Sequence, residues 1–488
     1  MFDSEFLTSS AESKSEYQRR IAQIAQIVCE SLPSEPYSGK KPNALATVLP
    51  PDFLSSQAAP SEQIAETLRT VIANSINISN PRAAAHLHCP PLITSLASEV
   101  VISALNQSMD SFDQAPIATI IEQKMIRWLC SEFGFSSAAD GTFTAGGSQS
   151  NYMGLLLARD TFLHKHWNWS AQKAGLPPEA RGLRILCSEF AHFTVEKSAA
   201  QLGLGMDSVL RIDVDNDFRM RPASLRDALE NLRKQGLLPM AVVATAGTTD
   251  FGSIDPLAEI TSVARNANIW VHVDAAYGGA LLFSGRHRSK VEGIDAADSI
   301  TIDFHKLFWQ PIPCSAFLVR DATSFGSIKL HSDYLNPEVH EAEGIPNLVT
   351  TSLLTSRRFD ALKLWISIQA LGREKLAAMI ETTMHLANHA AKVIRATPDI
   401  ELICEPLLST VVFRYVPENE PEANHVNDEI RRRLFDDGLA VIGHTRVRGR
   451  QCLKFTCLNP TATETDIENL VALTRSQGTE ILRSKTKP

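Results

Sequence analysis

Lys306 stands in surroundings where a lysine side chain is poorly solvated. It follows His305 at the end of the alternating run S-I-T-I-D-F, residues 299–304, and the chain turns apolar again directly after it. A desolvated ammonium group is unfavourable unless it gains a carboxylate partner, a lowered pKa or covalent conversion to an imine. Imine formation would make Lys306 the attachment point of an aldehyde. An ion-paired lysine is the other explanation, and this residue alone does not distinguish the two.

A candidate phosphate site lies in the segment T-A-G-G-S-Q-S-N, residues 144–151. It joins a short predicted strand to a helical run, so its glycines and small hydroxyl residues leave backbone N–H groups uncovered at a helix start. Such groups suit a phosphate dianion. The segment lacks the spacing of a nucleoside-triphosphate P-loop and of a dinucleotide fingerprint, which disfavours those ligands. A glycine-rich turn with a serine N-cap is the structural alternative.

Two further polar residues end predicted strands. Asp274 ends W-V-H-V-D and is followed by small residues that would let a flat ring lie against the strand end. A carboxylate there needs a cation, and a protonated pyridine nitrogen would be one. His192 lies just past L-R-I-L-C, where it could stack on such a ring and provide an acid–base group near neutral pH. An ion-paired aspartate and a hydrogen-bonded histidine are the structural alternatives.

The elements that must position these residues follow a repeating pattern. From about residue 140 to 320, short apolar runs alternate with helical patterns. Such alternation predicts an α/β fold with a mostly parallel sheet that is buried on both faces. Asp255 before Pro256 is expected to cap one of the helices. Ligands of open α/β sheets collect outside the carboxyl ends of the strands. The strand-end residues of interest are therefore Ser148, His192, Thr245, Asp274 and Lys306.

The whole chain is predicted to have three parts. Residues 1–85 form an N-terminal helical arm, in which residues 15–32 place apolar side chains at helical spacing. This apolar stripe could be buried on its own subunit or on a partner subunit, and we expect the partner. Residues 86–372 form the large domain, and residues 373–488 form a small α+β domain of long helices and short strands.

Composition excludes several classes of protein. The 488 residues exceed the size at which single cores stop growing, and the formal net charge of −8 argues against nucleic acid or an anionic membrane as partner. The eight cysteines form no C-x-x-C pair, so no metal site is expected. Neither an export signal nor an apolar run of membrane-spanning length is present in this sequence. The protein is therefore expected in the cytoplasm.

The order and spacing of the strand-end residues resemble those of a known enzyme family. Gly-Gly-Ser is followed by a histidine, an aspartate and a lysine, and from about residue 15 to 480 the chain is similar to the group II pyridoxal phosphate-dependent amino acid decarboxylases. The motifs that carry this resemblance are H-V-D-A-A-Y-G-G, D-S-I-T-I-D-F-H-K and R-R-F-D-A-L-K-L-W. The resemblance implies PLP fold type I, which is the aspartate aminotransferase-like fold, with a mostly parallel seven-stranded sheet in the large domain. It also implies pyridoxal 5′-phosphate as cofactor.

The resemblance also implies a role for each cofactor-site residue. Lys306 would form an imine with the cofactor, Asp274 would pair with its pyridine nitrogen, and His192 would stack on its ring. Ala276 would pack on the opposite ring face, and Thr245 would lie near the ring and the substrate carboxylate. The phosphate would be held by Gly147, Ser148 and His305.

The same resemblance also bears on two other positions, 334 and 303. Tyr334, in the polar segment 330–338, matches a tyrosine that in this family is supplied across a homodimer and protonates Cα after carbon dioxide leaves. The resemblance therefore implies a homodimer with active sites at the subunit interface. Asp303 departs from the asparagine that many relatives carry, so its role beside the phosphate stays open.

Substrate-binding residues are expected in segments that correspond to pocket-lining segments of relatives. Residues 85–90 and 105–116 are polar here, where relatives acting on aromatic substrates are more apolar. Carboxylates near the pocket would suit a substrate that ends in an ammonium group, although those at 110 and 113 could equally cap the next helix. Lys454 stands where glutamate decarboxylases carry an arginine for the α-carboxylate, and it lacks the bidentate fork of arginine. The expected substrate-binding residues are His86, His88, Gln107, Asp110, Asp113 and Lys454.

The motifs A-G-T-T-D-F-G-S-I-D-P-L, Y-L-N-P and L-K-F-T-C-L-N-P resemble the lysine decarboxylases of siderophore pathways, with diaminobutyrate decarboxylases next. They imply decarboxylation of a linear diamino acid, L-lysine to cadaverine, for siderophore or polyamine biosynthesis. The alternatives are L-2,4-diaminobutyrate or ornithine, then an aromatic amino acid or glutamate, and then a fold type I aminotransferase. A protein that keeps the fold without turnover is the non-enzymatic alternative.

Overall fold

The computed structural model describes residues 4–49, 57–418 and 420–485 of the chain. The chain divides into two compact units. The larger unit holds residues 87–388 and 404–410, and the smaller unit holds the described residues of 1–86, 389–403 and 411–488.

The helices and strands are numbered along the chain. The helices are α1 (Ala11–Ser31), α2 (Pro42–Thr47), α3 (Ser61–Ala73), α4 (Ile93–Leu105), α5 (Pro116–Glu132), α6 (Gly147–Trp167), α7 (Ala171–Ala174), α8 (Thr194–Gln201), α9 (Pro222–Lys234), α10 (Leu257–Asn266), α11 (Glu338–Ala342), α12 (Ala361–Ala396), α13 (Ala423–Asp436) and α14 (Glu464–Lys485). The strands are β1 (Ala83–Ala84), β2 (Asp140–Thr144), β3 (Leu183–Ser188), β4 (Val209–Ile212), β5 (Leu238–Thr245), β6 (Trp270–Asp274), β7 (Ser299–Asp303), β8 (Ser315–Val319), β9 (Ile400–Leu402), β10 (Thr410–Tyr415), β11 (Val441–Val447) and β12 (Arg450–Thr456).

The larger unit is built on a seven-stranded sheet. Its strand order is β2-β8-β7-β6-β5-β3-β4, and β8 alone runs antiparallel to its neighbours in this sheet. Every residue of β7 and β8 is buried, as expected for strands covered by helices on both faces. The predictions of an α/β fold and a mostly parallel seven-stranded sheet are therefore confirmed.

Asp255 does not cap the helix that follows it, so that prediction is wrong. Helix α10 has no side-chain cap. The Asp255 carboxylate instead accepts hydrogen bonds from the backbone N–H of Met220, at 2.7 Å, and of Thr245, at 2.8 Å. Complete burial raises the pKa of Asp255 to about 6. Because it bonds the last residue of β5, this carboxylate fixes the strand end that carries Thr245.

The smaller unit has a five-stranded sheet in the order β1-β11-β12-β10-β9. Strand β1 pairs in parallel with β11, with Ala83 opposite Val441, and helix α13 packs against β11, β12 and α14. The pairing of β1 groups the N-terminal segment with the C-terminal strands. The predicted division at residues 85 and 372 stays a prediction, and the change between the compact units falls instead after residues 86 and 388. At Gly372, α12 shows a break with φ of 71°.

No helix within the described ranges is long and apolar enough to cross a membrane.

A buried ion pair holds the start of the R-R-F segment in the larger unit. Arg357 binds Glu122 of α5 through both terminal nitrogens, at 2.7 and 3.0 Å, and the two side chains are only 7% and 1% exposed. Glu122 also accepts a hydrogen bond from the backbone of Phe143 in β2. Neighbouring Arg358 makes a comparable pair with Glu99, but its side chain is 42% exposed.

We expect Arg357→Leu to lower the free energy of unfolding by about 3–5 kcal/mol, because it leaves the buried Glu122 carboxylate without its cation. The midpoint of urea unfolding measures the change. Arg358→Ala is the matched control and should cost no more than about 1 kcal/mol. The double variant Glu122→Leu/Arg357→Leu should recover most of the loss, and equal losses in the single and double variants would contradict the explanation.

Candidate active site

A cavity of about 230 Å³ opens at the carboxyl ends of the parallel strands of the larger unit. All five strand-end residues selected from the sequence line it, although they are far apart in the chain. Lining residues that the sequence analysis did not select for the site are Gly146, Asn151, Gly247 and Thr249. The remaining lining residues are Gly147, Ser148, His192, Thr245, Asp274, Ala276, Asp303, His305 and Lys306.

One end of the cavity is formed by the first turn of α6. Gly147 begins this 21-residue helix, so uncovered backbone N–H groups and the positive end of the helix dipole face the cavity. A Cβ atom on Gly147 would lie 3.0 and 3.1 Å from the carboxylate oxygens of Asp303 and 3.4 Å from Cβ of Ala276. A side chain at this position would therefore press against Asp303 and narrow this end of the cavity.

The Asp274 carboxylate lies at the end of β6 and is 7% exposed. One oxygen accepts a hydrogen bond from the backbone N–H of Ala276, at 3.1 Å, and the other from the Asn151 amide, at 2.8 Å. Both donors are neutral groups. The carboxylate is therefore suited to a further, cationic partner such as a protonated ring nitrogen.

His192 lies between β3 and α8. Its Nδ1 atom is 2.9 Å from Oγ1 of Thr194 and 3.4 Å from the backbone nitrogen of Thr194. Burial lowers the pKa of His192, the charge of Asp274 opposes this, and the charge of Lys306 adds to it. The imidazole is thus held from its Nδ1 edge, which leaves Nε2 as the ring nitrogen that is not bonded to Thr194.

Lys306 is paired with a carboxylate. Its Nζ lies 2.8 Å from Asp303 Oδ2, and Ser315 donates a hydrogen bond to the other oxygen at 2.6 Å. Burial alone would raise the pKa of Asp303, but the charges of Lys306 and His305 hold it below its usual value. Burial also lowers the pKa of His305. Asp303, the residue that departs from the family pattern, therefore holds the lysine that would carry the cofactor.

The other predicted site residues do not line this cavity. Tyr334 is 88% exposed. Asp110 and Asp113 accept hydrogen bonds from the backbone and side chain of Ser111, and Oε1 of Gln107 is buried without a hydrogen bond. Their substrate-binding roles stay predictions.

The three remaining substrate-site predictions fall in different places. His88 belongs to the larger unit, and its pKa is lowered by burial and by His305 nearby. His86 and Lys454 belong to the smaller unit, where His86 has a left-handed backbone with φ of 60° and Lys454 pairs with Gly443 across β11 and β12.

Asn151 is one of the cavity-lining residues that the sequence analysis did not select. It lies on α6 one turn after Ser148, so the two residues face the same side of the helix. The segment T-A-G-G-S-Q-S-N ends on Asn151. The three-residue spacing from Ser148, which places both on one face of a helix, was the signal that could have identified it.

The groups around the cavity fit pyridoxal phosphate. The helix start accommodates a phosphate, Asp274 a protonated ring nitrogen, and Lys306 an aldehyde, while Ala276 leaves space for a flat ring. Each contact involves a group that lines the same cavity.

Comparisons with known proteins agree with this chemistry. Residues 42–416 match the pyridoxal-dependent decarboxylase conserved domain. An L-2,4-diaminobutyrate decarboxylase of Acinetobacter baumannii is 39% identical over 476 residues, which cover 96% of this chain and 93% of that protein. An L-2,4-diaminobutyrate decarboxylase of Rhizobium meliloti (strain 1021) is 44% identical over 401 residues, which cover 82% of this chain and 78% of that protein.

A solved structure from Vibrio parahaemolyticus is similar over nearly its full length. It is described as the glutamate decarboxylase domain of diaminobutyrate-pyruvate transaminase and L-2,4-diaminobutyrate decarboxylase. Its TM-score is 0.90 at 39% identity, and the match covers 98% of this chain and 99% of that one.

We expect Gly147→Ala to weaken pyridoxal phosphate binding about ten- to a hundredfold, because the added methyl group would fill the cradle against Asp303. Titration of the cofactor-free protein, followed by absorbance, measures the affinity. Gly285→Ala is the control, since a Cβ there meets no atom within 4 Å. Unchanged affinity in the Gly147 variant would exclude this end of the cavity as the phosphate site.

Proposed function

The chain belongs to the pyridoxal-dependent decarboxylase family, and we propose that it removes the carboxylate of L-2,4-diaminobutyrate to give 1,3-diaminopropane and carbon dioxide. The observation that carries the substrate is the identity of 39% and 44% to two proteins of that name. L-lysine, the substrate expected from the sequence, has no such support, and diaminobutyrate was its first alternative. The pathway served, siderophore or polyamine biosynthesis, stays a prediction.

Each of the cavity residues would have a separate role in decarboxylation. Bound pyridoxal phosphate supplies a sink for the electrons that the departing carbon dioxide leaves behind. Asp274 would keep a proton on the ring nitrogen, and Lys306 would hold the cofactor covalently. His192 and Ala276 would contact the two faces of the ring. Holding the scissile bond perpendicular to that ring selects which bond breaks.

Charge near the cavity supports a substrate with a second amine. Asp250 follows the cavity-lining residue Thr249, and its charge acts on His192. A carboxylate so close to the site favours a side chain that ends in an ammonium group over one that ends in a carboxylate or an apolar ring. Direct contact of Asp110, Asp113 or Lys454 with substrate remains part of the proposal.

We further propose that the enzyme works as a homodimer with Tyr334 supplied from the partner subunit. Tyr334 is 88% exposed, and the nearby loop residue Leu330 is 70% exposed. On α4, Ile93, Leu96 and Leu105 are exposed by 85%, 45% and 56%. Apolar groups left open in this way are suited to a partner surface. All eight cysteines are free thiols, which supports the proposal of a cytoplasmic location, where thiols stay reduced.

A substrate panel tests the reaction. We expect L-2,4-diaminobutyrate to be decarboxylated at least about tenfold faster, in kcat/KM, than ornithine or lysine, because a shorter chain places its ammonium differently. Carbon dioxide and amine are quantified together, with Lys306→Ala as the inactive control. Faster release from lysine, glutamate or an aromatic amino acid would overturn the substrate. Keto acid without carbon dioxide would indicate an aminotransferase, and cofactor absorbance without turnover a non-enzymatic protein.

Tyr334→Phe should lower kcat for amine formation by about 10²–10⁴ while the cofactor stays bound, because a positioned proton donor is lost. Mixing this variant with Lys306→Ala tests the trans arrangement. Randomly formed mixed dimers contain one site with both residues intact, so up to about a quarter of the wild-type rate should return. No recovery in a mixture shown to contain mixed dimers would refute donation across the interface.

A further inference from the structure

Asn151 joins the residue expected to hold the ring nitrogen to the residue expected to stack on the ring. It is 2% exposed and makes four side-chain hydrogen bonds. Its Nδ2 lies 2.8 Å from Asp274 Oδ2 and 3.0 Å from Thr194 Oγ1. Its Oδ1 lies 2.7 Å from Thr301 Oγ1 and 3.0 Å from His272 Nε2.

Chemistry fixes which way the Asn151 amide faces. A carboxylate can only accept hydrogen bonds, so the amide NH₂ must point to Asp274. The amide oxygen then faces Thr301 and His272, and both of these must donate to it. The orientation of the Asn151 amide therefore follows from the donor and acceptor roles of its four partners.

The same logic assigns the proton of His272. Because its Nε2 faces an oxygen that can only accept, Nε2 carries the hydrogen. Its Nδ1 lies 2.8 Å from Ser299 Oγ, which itself accepts from Nε1 of Trp270 at 2.9 Å and so has its own hydrogen free to donate. Burial lowers the pKa of His272 to about 4, and a neutral ring is what this pattern requires.

At the other end, the chain of bonds reaches His192 through Thr194. Thr194 Oγ1 accepts from the Asn151 amide, and its own hydrogen is free to point to His192 Nδ1 at 2.9 Å. The backbone N–H of Thr194 points to the same nitrogen at 3.4 Å. A hydrogen on Nδ1 would face this N–H, so Nδ1 is an acceptor.

We infer that Asn151 and Thr194 are positioning residues that hold His192 as a neutral imidazole with its hydrogen on Nε2. The inference concerns the resting protein; only its meaning for catalysis rests on the proposed function. In this state His192 donates a hydrogen bond through Nε2 to an acceptor in the cavity, such as a substrate carboxylate oxygen. It has no lone pair on Nε2 with which to take a proton there.

The charges that face His192 come from three strand ends. Asp274 lies at the end of β6, Asp303 and Lys306 at and after the end of β7, and Asp250 in the loop after β5. The three carboxylates favour a protonated ring, whereas burial and Lys306 disfavour it. Protonation of Nδ1 would also displace both donors of Thr194, and this hydrogen-bond cost favours the neutral ring.

The assignment separates two roles that the sequence analysis combined in one histidine. His192 stacks on the ring and donates a hydrogen bond, but it does not shuttle protons near neutral pH. The hydrogen that replaces the lost carboxylate must then come from another group, and Tyr334 is the proposed donor.

Nitrogen NMR of the cofactor-loaded protein, labelled with ¹⁵N in its histidine rings and free of substrate, tests the inference directly. The His192 signals are identified by their loss in His192→Asn. We expect an unprotonated Nδ1 and a protonated Nε2 across the neutral range. A hydrogen on Nδ1, or on both nitrogens, overturns the inference. Because no substrate is present, this result is independent of which amino acid the enzyme uses.

Thr194→Val removes the hydroxyl donor at nearly constant volume, and Thr194→Ser retains it. In the valine variant we expect the pKa of His192 to rise by about one unit. We also expect kcat to fall about tenfold at little change in KM, with a new inflection on the acid side of the pH profile. Thr194→Ser should restore the wild-type profile and nitrogen shifts. Wild-type shifts and profile in the valine variant would overturn the role of Thr194. If the valine variant loses its cofactor, the nitrogen NMR spectrum of the wild-type protein still tests which nitrogen of His192 carries the hydrogen.

Discussion

The Asp274 carboxylate is buried and accepts its hydrogen bonds from neutral groups. A buried carboxylate surrounded in this way is stabilised by hydrogen bonds but keeps its attraction for a cation. Neighbouring His272 does not supply that cation, since burial keeps its ring neutral. The strand end, the first turns of α6 and the start of α8 are thus arranged around one charge whose natural partner is a protonated ring nitrogen.

The lysine of the site is kept apart from that charge. Asp274 and Asp303 end the neighbouring parallel strands β6 and β7, and Lys306 pairs with Asp303. Two carboxylates at adjacent strand ends therefore have separate partners, one already present in the chain and one brought by the cofactor. In this arrangement the charge of Lys306 and the hydroxyl of Ser315 compensate the charge of Asp303.

The sequence predicted the sheet and its strand ends because continuous apolar runs and the residues that interrupt them are local signals. His192, Asp274 and Lys306 were found in this way. Asn151 and Thr194 were missed, because their importance arises from hydrogen bonds between α6, α8 and the sheet that no single segment reveals. Asp255 was assigned to the wrong partners, since two distant N–H groups bind it in place of its own helix. The side-chain length of the proposed diamino acid substrate could not be predicted from the sequence, because it depends on distances across the site.

Helix α6 would set a fixed distance between the groups that bind the two ends of the cofactor. Gly147 at its start would face the phosphate, and Asn151, four residues and about 6 Å further along the axis, would orient the carboxylate toward the ring nitrogen. Since a helix of this kind changes little in length, the spacing between the two ends of the ligand is set by the backbone. Vitamers without the phosphate arm, or ring analogues with the arm displaced, would satisfy one end and leave the other empty. Helix geometry as well as charge would then contribute to selection among forms of the vitamin.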